Sequence, residues 1–177
     1  MKKIILTHGV IAGFVVIAAM ILSLVLADED TSMSGLQWLG YLIMIVALSL
    51  IFVGIKKVRD QELGGVIRFG TATKVGLGIT LIASLIYVVV WEINLSLTDY
   101  AFIDQYTESI LESKREEGLS GEAMAAAEAE MEAMKTTYAN PLFRLPMTFL
   151  EIFPVGLLIS LLSAAILRNR KVLPATA

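Results

Sequence analysis

The stretch that decides the fold is PMTFLEIFPVGLLISLLSAAIL, residues 146–167. Its apolar run is long enough to cross the hydrocarbon core of a bilayer, which takes about 20 helical residues. A spanning segment must satisfy its own backbone hydrogen bonds, so this run is expected to be a helix. Glu151 lies inside the run, three residues before Pro154, and an ionisable residue in a membrane segment is a candidate functional residue.

Three further runs have a similar length and character, and they cover residues 4–27, 36–55 and 74–93. The 177 residues are 56% hydrophobic and only 18% charged, whereas a soluble domain has about 25% charged residues. The sequence therefore predicts an all-α polytopic membrane protein. We expect a single integral membrane domain over residues 1–177 with four transmembrane helices and a helical hairpin between the third and the fourth.

The first run has two interpretations. It follows Lys2 and Lys3 and ends before Asp28, with Val25 and Ala27 at positions where a signal peptidase prefers small residues. Its apolar part is longer than the 7–15 residues of a usual signal core, which favours an uncleaved helix. A mature chain that begins at Asp28 would instead leave three spans in the same orientation.

Basic residues are segregated along the chain. Ten of the 14 Lys and Arg residues precede the first span, lie in the link 56–74 or follow the last span. The loop 94–144 has four basic residues against ten acidic ones. Because cytoplasmic loops carry the excess of Lys and Arg, we expect cytoplasmic termini and an extracytoplasmic loop.

The loop 94–144 is expected to form the helical hairpin. Thr98 is a predicted N-cap, Gly118 a predicted C-cap, and Ser120 a predicted start of a second helix that ends before Asn140. Five apolar residues of this second helix follow a heptad-like spacing, namely Met124, Ala127, Met131, Met134 and Tyr138. They are expected to face the other helix, the membrane or a partner. Four acids form the opposite face, expected to be solvated: Glu122, Glu128, Glu130 and Glu132.

No residue pattern for catalysis is present. The absence of cysteine excludes disulfides, thiolate metal sites and cysteine nucleophiles. The sequence has no phosphate loop, Rossmann glycine pattern, HExxH or nucleophile elbow. His8, the one histidine, cannot build a metal site by itself, and it is either an interfacial ring or a proton carrier. We therefore expect no catalytic residues, no cofactor, no metal and no nucleic-acid partner.

Small residues recur at four-residue spacing in three of the spans. These ridges are Gly9 and Gly13; Gly76, Thr80 and Ser84; and Gly156, Ser160 and Ala164. Such ridges let membrane helices approach closely. They predict a compact bundle in the lipid bilayer, with contacts either within one chain or between copies.

Two carboxylates are predicted to lie at one depth. Lys74 and Glu92 are separated by about 27 Å of helix, and Glu151 and Arg168 by about 26 Å, at 1.5 Å per residue. Both distances are close to the hydrocarbon thickness. Glu92 and Glu151 therefore fall at the predicted outer boundary, with Arg144 just outside the fourth span.

The two acids differ in their predicted position on a helix. Glu151 is placed near a helix N-terminus, where the macrodipole favours a negative charge, and Glu92 near a C-terminus, where it does not. Glu92 therefore needs a donor such as Arg144. We interpret Glu92, Glu151 and Arg144 as a structural polar cluster, with a proton- or cation-binding transport site and an intramembrane carboxylate enzyme as the alternatives.

Three segments carry a resemblance that covers nearly the whole chain: GIKKVRD at 54–60, GGVIRFGTATKVGLGITLIASLIYVVVWEI at 64–93, and NPLFRLPMTFLEIFPVGLLISLLSAAILRNRK at 140–171. The chain resembles domain-of-unknown-function family 4199, which consists of small four-span bacterial membrane proteins. The resemblance implies the span count and the bacterial inner membrane, and it implies no activity, substrate or cofactor.

We expect a non-enzymatic scaffold or regulatory subunit. Its partner would be another protein or a second copy, engaged through the small-residue ridges and the hairpin. The alternative is a small proton- or cation-coupled transporter or channel component that uses the carboxylates at the outer boundary.

Overall fold

A computed structural model describes residues 1–25 and 33–174, with side chains for residues 1–23 and 38–174. Within these residues the chain forms seven α-helices and no strand, which confirms the all-α prediction. The helices are α1 (Lys2–Val25), α2 (Met33–Leu48), α3 (Leu50–Glu62), α4 (Phe69–Leu97), α5 (Ala101–Glu116), α6 (Gly121–Ala139) and α7 (Pro141–Leu167).

Four stretches of the described helices are long and apolar enough to cross a membrane. They are Lys2–Ser23 in α1, Trp38–Glu62 in α2 and α3 together, Phe69–Leu97 in α4 and Pro141–Leu167 in α7. These stretches match the four predicted spans, so the chain is a multi-pass membrane protein. The predicted cleavage position at Ala27 lies outside the described residues.

Helices α2 and α3 meet at Ser49 and form one candidate span. The Ser49 amide donates to the carbonyl of Ile45 at 3.0 Å, and the Val53 amide donates to the carbonyl of Ser49 at 3.4 Å. The Ser49 hydroxyl also donates to the carbonyl of Val46 at 2.6 Å. Helical hydrogen bonding thus continues through Ser49, and a serine that bonds back to its own helix often bends it locally.

The chain divides into two compact units. Unit 1 consists of Met1–Val89 and Phe149–Ala177, and unit 2 consists of Val90–Thr148. Unit 1 contains α1, α2, α3 and most of α4 and α7, whereas unit 2 contains the end of α4, all of α5 and α6, and the first turns of α7. The single integral domain expected from the sequence stays a prediction.

Small residues bring the helices of unit 1 together. Gly13 of α1 packs against Ile86 of α4. A Cβ atom at Gly76 of α4 would lie 2.7 Å from Cβ of Ser160 on α7, which is closer than two carbon atoms pack. The hydroxyls of Thr80 and Ser160 are 3.1 Å apart and share a hydrogen bond between the same two helices. These ridges therefore make contacts within one chain.

The turn between α5 and α6 in unit 2 is built from residues that are typical of helix ends. Gly118, at φ +89°, follows α5, and the Leu119 amide donates to the carbonyl of Lys114 at 2.9 Å, the bond of a Schellman motif. Ser120 precedes α6 as predicted. Thr98 does not cap α5, because its hydroxyl donates back into α4 and α5 begins after Tyr100.

The apolar stripe of α6 faces the neighbouring helix of the hairpin. Met124, Ala127 and Met131 are buried, and the ring of Tyr138 lies 6.4 Å from the ring of Phe102 on α5. Packing between α5 and α6 therefore accounts for the stripe. All four predicted outward-facing glutamates of α6 are exposed.

Candidate functional site

An ion pair in unit 2 joins α7 to the last part of α4. Arg144 Nε donates to Oε1 of Glu92 and Arg144 Nη2 donates to Oε2, both at 2.7 Å. The side chain of Arg144 is 3% exposed and that of Glu92 is 24% exposed. A bidentate guanidinium–carboxylate pair at this distance is among the strongest charge-assisted contacts in proteins.

Arg144 also terminates α6. Its Nη1 donates to the carbonyl of Tyr138 at 2.9 Å and lies 3.4 Å from the carbonyl of Ala139. The last carbonyls of a helix lack intrahelical partners, and a cation there is favoured by the macrodipole. One side chain thus joins the ends of three helices, α4, α6 and α7.

The short link between α6 and α7 places Arg144 at this point. Asn140 ends α6, and its Oδ1 accepts a hydrogen bond from the Leu142 amide at 3.0 Å, which caps the start of α7. Pro141 is the first residue of α7, a position where its missing amide proton and fixed φ favour the helix. Arg144 then follows within the first turn of α7.

Two aromatic rings lie against the guanidinium of Arg144, and two more pack beside them. Arg144 Cζ lies 5.0 Å from the ring centre of Tyr100 and 5.7 Å from that of Tyr138, which are cation–π distances. Trp91 Nε1 donates to the Tyr138 hydroxyl at 3.0 Å. Phe102 packs edge-on against Trp91 with ring centres 4.9 Å apart. We call Glu92, Arg144 and these four rings the junction.

The junction is suited to holding helices in place. An arginine stays protonated in proteins, so it does not exchange a proton with Glu92. Both carboxylate oxygens of Glu92 are bonded to Arg144. Among the described residues, no group of three or more His, Asp or Glu side chains could hold a metal ion.

Glu151 lies in unit 1 and has a different partner. Its Oε2 accepts a hydrogen bond from the Tyr87 hydroxyl at 3.2 Å, and the same hydroxyl lies 2.6 Å from Sδ of Met20. Tyr87 is buried, whereas Glu151 is exposed. Of the three residues of the predicted cluster, the structure brings Glu92 and Arg144 together and gives Glu151 a hydrogen bond to Tyr87.

The helix ends differ from the predicted ones, which changes the argument about both acids. Helix α4 continues to Leu97, five residues beyond Glu92, and α7 begins at Pro141, ten residues before Glu151. The effect of a helix macrodipole falls off within the first or last turn. The predicted contrast between a helix end that attracts Glu151 and one that repels Glu92 is therefore wrong.

The depth of Glu151 in a membrane stays a prediction. Leu142, Phe143 and Leu150 of α7 are large, apolar and exposed. The apolar surface of α7 thus extends about three turns beyond Glu151 toward the helix start. Glu151 follows the start of the candidate span Pro141–Leu167 by ten residues, and this span is longer than the one hydrocarbon thickness on which the residue count from Arg168 is based.

A cavity of about 290 Å³ lies between α5 and α6 in unit 2. Its lining residues are Asp104, Thr107, Glu108, Leu111, Arg115 and Lys135. Lys135 Nζ lies 2.8 Å from Oδ1 of Asp104, and this hydrogen bond raises the pKa of Lys135 above its usual range. Arg115 pairs with Glu128 at 3.3 Å. The cations of this cavity are thus already paired with carboxylates of the hairpin.

Residues 7–169 match the family described as "Protein of unknown function (DUF4199)". The chain belongs to this family. The match covers both units, including Glu92, Arg144 and Glu151. Neither a curated protein nor a solved structure matches the chain.

A second buried arginine within the family match is a site that the sequence did not predict. Arg59, fully buried, donates from Nε to Asp60 at 2.6 Å, from Nη1 to the carbonyl of Val172 at 2.9 Å, and from Nη2 to the carbonyl of Leu173. It fastens the residues after α7 to α3 within unit 1. The carbonyls of Val172 and Leu173 lie far along the chain from Arg59, so no local sequence pattern indicates them.

The rings of the junction were missed for a related reason. Trp91, Tyr100 and Phe102 come from the end of α4 and the start of α5, and Tyr138 comes from the end of α6. A signal was present, because Trp91 adjoins Glu92 and Tyr138 lies on the α6 stripe. Only the folded hairpin brings Tyr100 and Tyr138 against Arg144, with Trp91 and Phe102 in contact with Tyr138.

Proposed function

We propose that the protein is a non-enzymatic scaffold or regulatory subunit of a membrane assembly. In this proposal it lies in the inner membrane of a bacterium, with both termini in the cytoplasm and the α5–α6 hairpin outside. The distribution of Lys and Arg along the chain supports this orientation.

The observation that carries the proposal is the junction. Arg144 bonds both oxygens of Glu92 and the last turn of α6, and it lies against the rings of Tyr100 and Tyr138. The charges of the junction neutralise each other and hold α5 and α6 as a fixed hairpin. The face of α6 that the hairpin leaves exposed is acidic. A fixed, charged, outward face suits recognition of a partner.

The orientation is tested first, in a chain that has no natural cysteine. We would place a single cysteine at Ser120, beside the hairpin turn, or at Asn169, after α7, and label intact cells with a membrane-impermeant maleimide. Ser120→Cys should label at once, and Asn169→Cys only after the membrane is permeabilised. The opposite pattern overturns the orientation.

The partner is tested by photo-crosslinking of the full chain in native membranes. A photoreactive residue at the exposed Glu130 should yield a discrete protein adduct, whereas one at the neighbouring buried Met131 should not. Replacing Glu122 and Glu132 by glutamine should weaken the adduct, and added salt should weaken it further, because exposed charges are screened. A chain that purifies as a monomer and gives no adduct from Glu130 overturns the scaffold proposal.

A second candidate function, proton or cation transport, is supported by Glu151. Among the described residues no cation pairs with it. The hydroxyl of Ser84, buried one turn before Tyr87 on α4, has no hydrogen-bond partner in the part of the chain that the structure describes. The test is proton flux in proteoliposomes, which Glu151→Gln should abolish and Glu92→Gln should not, because Glu92 is bonded to Arg144. Wild-type vesicles without flux overturn this candidate.

A further inference from the structure

The outward face of α7 in unit 1 combines an acid with a large apolar surface. Glu151 is exposed there. Leu150 and Leu158 are each 61% exposed. At 100° per residue, these side chains and Pro154 share one face of the helix. We call Leu150, Glu151, Pro154 and Leu158 the α7 face. In a bilayer it meets either acyl chains or another protein.

Glu151 is held in position on this face. Its Oε2 lies 3.2 Å from the buried hydroxyl of Tyr87, which fixes one end of the carboxylate. The ion pairs of the described residues do not include Glu151. An ionisable side chain within a membrane span is costly unless it meets a partner, and it marks a functional site by default. The α7 face therefore presents Glu151 in a position fixed by Tyr87, and no described residue of unit 1 provides a cation that pairs with it.

A second copy in the same orientation does not provide that charge. Tyr87 on α4 and Met20 on α1 mark the level of Glu151, because the Tyr87 hydroxyl contacts both Glu151 and Met20. Lys74 lies about 20 Å along α4 from Tyr87, and Lys3 about 26 Å along α1 from Met20. Arg168, just after α7, is about 26 Å from Glu151, and Arg144 of α7, about 10 Å away, is already bonded to both oxygens of Glu92. The other cations of these three helices are thus far from the level of Glu151.

A lipid headgroup matches the α7 face less well than a protein helix. Glu151 follows Pro141 by ten residues, about 15 Å of helix. The apolar side chains of Leu142 and Met147 are exposed between the start of α7 and Glu151. A headgroup ammonium would have to pass this apolar surface, whereas a transmembrane helix covers it and carries its own cation to the required depth.

We propose that the α7 face binds a transmembrane helix of another membrane protein, which places a Lys, Arg or His side chain against Glu151. The inference rests on the proposed role as a scaffold or regulatory subunit and names the class of its partner. Apolar side chains of the partner helix cover Leu150 and Leu158, and its cation completes the hydrogen bonding of Glu151.

The test uses the full chain in native membranes, with a photoreactive residue in place of Leu150. A discrete adduct with another integral membrane protein is expected. Glu151→Gln should reduce its yield at least about tenfold, as the loss of one member of a desolvated charge pair does, whereas Glu151→Asp should retain part of it. The matched control is the photoreactive residue at Leu6, which is 57% exposed on α1 and should give no such adduct.

Capture of a protein is not sufficient by itself, so the adduct is mapped and the charges are exchanged. The crosslinked peptide should lie in a transmembrane helix beside a basic residue. Changing that residue to glutamate should abolish the adduct, and Glu151→Lys in the present chain should restore it. If Glu151→Gln fails to accumulate in the membrane, Leu158→Trp provides the second variant, because it obstructs the same face from an exposed position and should lower the yield.

Several outcomes overturn the inference. They are an adduct with a second copy of the chain, an adduct with lipid alone, a yield that Glu151→Gln and Leu158→Trp leave unchanged, and a partner helix without a basic residue at the mapped level. An adduct from Glu130 on the hairpin with none from Leu150 overturns only the α7 site. The loss of both overturns the scaffold proposal as well.

Discussion

Glu92 and Glu151 are both acids on membrane-spanning helices, and their surroundings are opposite. Both oxygens of Glu92 are bonded to the guanidinium of Arg144 at 2.7 Å. Glu151 is exposed and meets one hydroxyl, that of Tyr87, at 3.2 Å. The first acid is neutralised within its own unit, and the second is positioned without being neutralised.

The difference separates an acid that maintains the fold from one that is available to another molecule. A buried charge that loses its partner destabilises the folded state strongly, so residues of the junction should be sensitive to any substitution. A carboxylate bonded only to a hydroxyl contributes little to stability. Stability measurements should therefore distinguish the two acids even before any partner is known.

The largest effect is expected from Arg144→Ala. It leaves Glu92 without its cation and the last carbonyls of α6 without a donor, and breaking a buried pair costs about 3–5 kcal/mol. The free energy of unfolding in detergent, followed by circular dichroism, measures the loss. The control is Arg115→Ala, since the pair of Arg115 and Glu128 is more than half exposed and is worth at most about 1 kcal/mol. Equal losses in the two variants would show that the junction is no stronger than a surface pair.

The next effect compares the two acids directly. Glu92→Gln should lower the free energy of unfolding by about 2–3 kcal/mol, because the hydrogen bonds to a charged group are weakened on both oxygens. Glu151→Gln should change it by less than about 0.5 kcal/mol, as for other exposed substitutions. The same unfolding experiment measures both. A loss for Glu151→Gln as large as that for Glu92→Gln would remove the distinction between a structural and an available acid.

The spans were predictable because lipid imposes a strong and local requirement. An apolar run such as 146–167 can satisfy its backbone in hydrocarbon only as a helix or in a closed barrel. The residue at which that helix begins is not predictable in the same way. Arg144 interrupts the apolar pattern, so the pattern places residues 141–144 in the loop 94–144, but Glu92 neutralises the charge of Arg144 and the helix begins at Pro141.

The candidate site shows the same limit in three dimensions. The sequence named Arg144 as a donor for Glu92, on the argument that Glu92 needs one, and the structure contains that ion pair. A count of residues along a helix predicts depth in the membrane, and this count groups Glu151 with Glu92 and Arg144. Such a count does not give the direction around the helix, which is why the hydrogen bond from Tyr87 was not predicted. The carbonyl partners of Arg59 are not predictable either, because they come from residues more than 100 positions later in the chain.

A smaller effect is expected from Tyr87→Phe. The change removes the hydroxyl that contacts Glu151 and Met20 and keeps the buried ring, so the free energy of unfolding should fall by about 0.5–1.5 kcal/mol. Tyr41→Phe, at an exposed position on α2, is the matched control and should have almost no effect. If Tyr87→Phe is as neutral as the control, the hydroxyl does not hold Glu151 in place.

The smallest effect concerns an ion pair at the surface of unit 2, which contrasts with the junction in its response to pH. The hydrogen bond that Lys135 donates to Asp104 raises the pKa of Lys135 above the ordinary lysine value of 10.5. A group with a raised folded-state pKa contributes stability that is fully present below its ordinary value and is lost as the pH rises through the raised one. The helicity of the hairpin should therefore fall slightly above pH 10.5 in the wild type, beyond any change seen in Asp104→Asn. Arg144 keeps its proton above pH 10.5, so the junction should not respond. If wild type and Asp104→Asn lose the same large amount of helicity, the Lys135–Asp104 pair is not the source of the pH sensitivity.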